Sequence, residues 1–355
     1  MREGNRLIPL QARRTFRLSL TIAMSVVFAY GLALPLPFLS PVFAILLTST
    51  PAPPLGVKKL LGLIVVLMLT LGVGLLLIPI LINYAISAIL MIAAGLYFST
   101  YFSASPDKAM LGTLFTVGFT IIPAAGLASF PLALMVIESL IVGVGLAVIC
   151  SWMVYPFFPE DKDFTEAPPE PVTDENSNWM ALRVTLIVLP PFLAALANPA
   201  LYLKLIMKSV VMGKQATAIN ARAAGRELLG ATFLGGALAI VLWIMLDLVT
   251  NLWMFFWLML LMGIYVGSKI YQVNPSRFSA PFWVDVMVTM IILLGSAVQD
   301  SADGQDVYQA FTMRMIFFVL LALYAWLAIV MLDRVRNNHV NRKYQAPINK
   351  ESEQC

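Results

Sequence analysis

The sequence predicts an all-α polytopic membrane protein of about twelve transmembrane helices, arranged as two six-helix repeats that run in the same orientation. Three observations point there. Apolar residues fill 60% of the 355 positions, charged residues only 12%, and mean hydropathy is +0.86, far from soluble composition. The apolar residues gather in runs of roughly 17–25, the helical length that crosses a hydrocarbon layer of ~30 Å. Among the turns between these runs, only alternate ones carry Lys or Arg. Backbone groups in lipid must pair within their own segment, so many such runs mean a helical bundle.

The basic opening, with Arg2, Arg6, Arg13 and Arg14, leads into an apolar run at 16–34 that lacks a small-residue cleavage signature and reads as a retained first helix. Runs at 38–50, 60–80, 82–100, 109–124 and 131–155 complete a first half, residues 1–156. The stretch FFPEDKDFTEAPPEPVTDENSN, 157–178, is acidic and proline-rich, and is expected to be an exposed cytoplasmic linker. A second half, 179–334, carries runs at 180–197, 199–214, 228–247, 252–271, 279–297 and 308–332, and a basic cytoplasmic tail, 335–355, follows. The second run of each half is short, as a tilted or partly inserted helix would be.

With the amino terminus inside, one set of turns receives residues such as Lys58, Lys59, Lys108, Arg222, Arg226 and Lys269, while the turns near Leu36, Asn83, Gly126, Pro199, Asn251 and Asp303 have neither Lys nor Arg. That asymmetry places both termini in the cytoplasm. The halves also match each other. The offset that aligns KKLLG at 58 with RELLG at 226 aligns Asn83 with Asn251 and GLYFS at 95 with GIYVG at 263. Six spans per half is an even number, so the copies share a direction and their interface is the natural place for a pathway.

Several function classes are disfavoured. The only cysteines are Cys150 and Cys355 and the only histidine is His339, so neither a disulfide framework nor a metal or cofactor site is expected, and an enzyme is not. No Gly-rich loop ending in Lys-Ser/Thr occurs, so any pumping is not driven directly by ATP. The net charge of +4 flanks apolar segments rather than forming a soluble patch, which reports topology and not nucleic acid.

The chemistry lies in the intramembrane charges. In KLIMKSVVMGKQ, 204–215, Lys204 and Lys208 are four apart and share a helix face, with Lys208 near mid-span, whereas Lys214 lies at the cytoplasmic end. Either Lys204 snorkels and Lys208 neutralises a carboxylate, or the two line a binding site for an anionic substrate. Asp285, in FWVDVMVTM, either partners a lysine or carries a proton. Glu138 and Arg314 lie at equal depth in the last helix of each half, and an ion pair between the halves would be structural or gating. Arg17 and Arg183 read as interfacial anchors. Lys214, Arg222 and Arg226 either draw anions to the inner mouth or simply mark the cytoplasmic side. The pairs Gly72/Gly74, Gly143/Gly145 and Gly235/Gly236 suit close helix packing.

The segment LPFLSPVFAILLTSTPAPPLGVKKLLGLIVV, through Pro41, Thr48, Pro51, Gly56, Lys58 and Gly62, resembles the fusaric-acid-resistance and aromatic-acid exporter superfamily. GRELLGATFLGGALA, through Arg226, Gly230 and Gly235, resembles the corresponding helix start in the second half. The resemblance implies a bacterial inner-membrane exporter of small organic, often aromatic, acid anions, with a periplasmic membrane-fusion adaptor as partner; a homo-oligomer stays open. The chain has the short form, with the 157–178 linker where long members carry a large soluble domain. Joined to the charges, it leads to export driven by the proton motive force, with Lys204 and Lys208 on cargo and Asp285 or Glu138 in coupling. The rivals are an organic-anion channel, since the plant aluminium-activated malate channels are similar in topology, and a non-transporting envelope-assembly protein.

Overall fold

The computed structural model describes residues 9–103, 109–161, 174–216, 221–302 and 304–352. Among them it contains twelve α-helices and no strands: α1 (Leu10–Gly31), α2 (Leu39–Thr48), α3 (Val57–Asn83), α4 (Ala85–Ser103), α5 (Ala109–Ala128), α6 (Phe130–Val154), α7 (Asp174–Ala197), α8 (Pro199–Ala216), α9 (Ala221–Leu248), α10 (Leu252–Ile270), α11 (Ala280–Ala302) and α12 (Val307–Ser352). Eight of these, α3, α4, α6, α7 and α9 to α12, contain stretches long and apolar enough to cross a membrane. The chain is therefore a multi-pass membrane protein. α2 has only 10 residues, and α1 and α8 are lowered in hydropathy by the arginines and lysines in their sequences.

α1 lies against α10, and α4 against α7; α3 pairs with α5, and α9 with α11; α2 meets α6, and α8 meets α12; α5 touches α8, and α11 touches α2. Large apolar side chains such as Leu69, Leu76, Ile86 and Leu320 remain exposed, as a lipid-facing surface requires. α11 is the exception, with 83% of its most apolar stretch buried against 28–50% in the other seven long apolar helices. With α5, most of whose residues 112–128 are buried, it forms the interior of the bundle.

Close approach depends on glycine where backbones meet. A Cβ at Gly118 of α5 would stand 2.5 Å from the Thr70 carbonyl of α3, and one at Gly235 of α9 would stand 2.7 Å from the Val286 carbonyl of α11. Only a hydrogen fits there. Of the glycines singled out from sequence, Gly74 and Gly236 also meet neighbouring helices, whereas Gly72 and Gly145 face open space.

The ends of the bundle differ. Arg13, Arg14 and Arg17 open α1, Lys58 opens α3 and Lys269 closes α10, which makes one end basic. The α12 helix continues past the apolar run to Ser352, through the segment expected as a tail, and α7 begins at Asp174, inside the expected linker. Both extensions are polar residues that keep good helical geometry outside the apolar core.

Candidate functional site: a buried charge pair and an arginine cluster

Lys208 lies near the middle of α8, ~14 Å from its first residue at 1.5 Å per residue. Its ammonium donates to Oδ1 of Asp285 and to Oγ1 of Thr289, both on α11. Lys208 and Asp285 are each 0% exposed. Asp285 and Thr289 are one turn apart and so face the same way. The Thr289 hydroxyl donates to the Asp285 backbone carbonyl at 2.7 Å, which turns its lone pairs towards Lys208. One carboxylate oxygen, Asp285 Oδ2, is buried without a hydrogen-bond partner among the described residues. The site is a desolvated ion pair with one acceptor left over, bridging α11 to α8.

Such a pair balances two opposing terms. Removing both ions from water costs several kcal/mol each, and their attraction offsets this only while both are present. Anything that neutralises Asp285 would release the ammonium for another anion. Lys204 lies one turn away on α8 and is half-buried.

The other charges fall differently from expectation. Arg314 of α12 donates to both carboxylate oxygens of Asp300 on α11, with Nη2 to Oδ1 at 2.8 Å. The anticipated Glu138–Arg314 pair is thus replaced by a pair within one helical hairpin, where the partners are held close by the short α11–α12 turn. Glu138 is exposed on α6. Arg226 is exposed at the start of α9, its guanidinium 5.7 Å from the Phe278 ring. The side chains of Lys214 and Arg222 lie outside the described residues.

At the basic end the start of the expected exposed linker is docked. Arg13 donates to the Pro159 carbonyl at 2.8 Å and to Asp161 at 2.7 Å; Arg14 donates to Glu160 Oε1, from Nε at 2.6 Å; Arg17 donates to Glu160 Oε2 at 2.8 Å. Glu160 and Arg17 are buried, so Arg17 is not an interfacial anchor. The cause is charge: three arginines on one helix start capture the two acids that follow α6. Arg183, the counterpart expected on α7, is likewise buried, with Asp333 of α12 as its nearby negative charge. Beside the cluster, the Tyr271 hydroxyl donates to the Thr48 carbonyl at 2.6 Å. Burial pushes its phenol above the ordinary range, with Arg17 and Arg14 pulling it back.

The opposite end holds a cavity of ≈ 220 Å³ lined by Tyr30, Trp243, Asp247, Asn251, Phe255 and Ser301 among others. Tyr30 and Phe255, in edge contact at 5.1 Å between centroids, divide it from a ≈ 10 Å³ space against Phe38 and Gly295. Both spaces lie along α11, on the side of the buried pair away from the basic end.

Sequence reasoning reached Lys208 and Asp285 because each charge interrupts an apolar run. Thr289 was missed although its spacing from Asp285 places it on the same helix face. Glu160 was missed because an acid inside a polar stretch carries no local signal.

The family described as "Protein of unknown function (DUF2955)" matches residues 14–154. No curated protein and no solved structure matches the chain.

Proposed function

We propose that the protein exports small organic, chiefly aromatic, acid anions across the bacterial inner membrane at the expense of the proton motive force, with Lys208 and Asp285 as the exchange site. The observation that carries this reading is the fully buried pair, with Lys208 bonded to one Asp285 oxygen while the other has no donor among the described residues. In that arrangement a cargo carboxylate and Asp285 compete for one ammonium. A proton taken up by Asp285 removes the competitor and lets the anion bind. Loss of that proton restores the pair and expels the anion. If the proton enters from the cavity end and leaves at the basic end, and the cargo travels the other way, the cycle is an antiport. The membrane potential, negative inside, adds about 2.3 kcal/mol per exported charge per 100 mV.

A twelve-span duplicated architecture belongs to this reading, and the helix pairings support it. Each helix pairing described above has its counterpart when the helix number is moved by six: α1–α10 with α7–α4, α3–α5 with α9–α11, α2–α6 with α8–α12, and α5–α8 with α11–α2. The Lys/Arg asymmetry supports a cytoplasmic basic end. The resemblance to aromatic-acid exporters adds the substrate class, and a periplasmic adaptor as partner.

Everted membrane vesicles test the proposal. Energised vesicles containing the protein should accumulate labelled benzoate above vesicles that lack it, and a protonophore should abolish the difference. Asp285→Asn should lose energised accumulation yet retain benzoate exchange. Wild-type accumulation by Asp285→Asn would rule out the coupling role, and benzoate flux down its gradient that a protonophore leaves unchanged would favour a channel.

A further inference from the structure

Outside the Lys208–Asp285 site, Arg14 and Arg17 of α1 close on a single carboxylate, while Arg13 beside them takes the Pro159 carbonyl and Asp161. Arg14 places Nε and Nη2 on Glu160 Oε1, and Arg17 places Nη1 on Oε2. Two guanidiniums holding both oxygens is a geometry that reads a carboxylate. Donor capacity remains: Arg17 Nη2 and Arg13 Nε are buried and have no partner among the described residues. An aromatic ring accompanies the acid, since Phe158 stacks on Phe16 with centroids 5.7 Å apart and planes 22° apart. No helix or strand holds residues 159–161, so they can leave without unravelling an element.

We propose that the arginine cradle is a binding site at the inner mouth for an organic carboxylate, and that Glu160 is a tethered occupant which a soluble carboxylate displaces. The ring of Phe158 and the carboxylate of Glu160 then imitate an aromatic acid on the surfaces that would receive one. Until displaced, the segment also ties the chain after α6 to α1. The direction of transport rests on the export reading; binding to the cradle does not.

The test uses the purified full-length chain in detergent, with benzoate as probe and benzylamine as its cationic control. Glu160→Ala should unfold at a lower temperature than wild type, and benzoate but not benzylamine should restore it. Benzoate should bind Glu160→Ala about tenfold more tightly than wild type, because a competitor present nine-tenths of the time weakens apparent affinity by about that factor. Adding Arg17→Met should remove both effects, which separates the cradle from Lys208. If Glu160→Ala does not fold alone, Glu160→Gln keeps the shape, and benzoate should still bind it more tightly than wild type. Destabilised variants that benzoate neither binds more tightly nor restores would overturn the proposal and leave a plain structural tie. Restoration without energised accumulation in vesicles would keep the cradle and remove the export reading; accumulation without restoration would do the reverse.

Discussion

Lys208 is the residue on which stability and the proposed exchange meet. A buried ammonium is tolerated only because Asp285 and Thr289 receive it, so removing either charge strands the other. Lys208→Met alone and Asp285→Asn alone should each destabilise the protein by about 3–5 kcal/mol, whereas Lys208→Met with Asp285→Met should return it close to wild type. Thermal unfolding in detergent checks the ordering, and equal losses in single and double variants would contradict it. At this scale the sequence was half legible. A charge in an apolar run announces itself, but its partner is chosen by tertiary packing: Asp300, not Glu138, receives Arg314. Glu160 shows the converse, a residue of ordinary polar surroundings in sequence that the fold buries beneath Arg14 and Arg17.

Among the helices, periodic apolar runs located all twelve, and their ends shifted where polar residues extend α7 and α12 beyond the apolar stretch. Which glycines join helices was not legible, because Gly72 and Gly74 look alike in sequence and lie on different faces. Gly118 presses on the Thr70 carbonyl, while nothing lies within 4 Å of a Cβ added to Gly72. Gly118→Val should therefore force α3 and α5 apart and cost about 1–3 kcal/mol or more. Gly72→Val should leave the unfolding temperature unchanged. A similar loss from both would show that glycine flexibility, rather than close approach, matters in these helices.

For the whole molecule, the first six helices and the last six interlock rather than sit side by side, with α1 against α10 and α4 against α7. A helix this buried offers few routes for a charge, and α11 carries Asp285 near the basic end and borders the aromatic-lined cavity at the other. The internal sequence match pointed to duplicated halves, but no local pattern could say that the only fully buried lysine among the described residues would face α11. The account turns on that ammonium as an anion site. The most direct measurement is benzoate flux in liposomes containing the Lys208→Met, Asp285→Met double variant, under an imposed membrane potential and pH gradient. The expected result is a folded protein whose flux does not exceed that of empty liposomes; flux at the wild-type rate would contradict an anion site at Lys208.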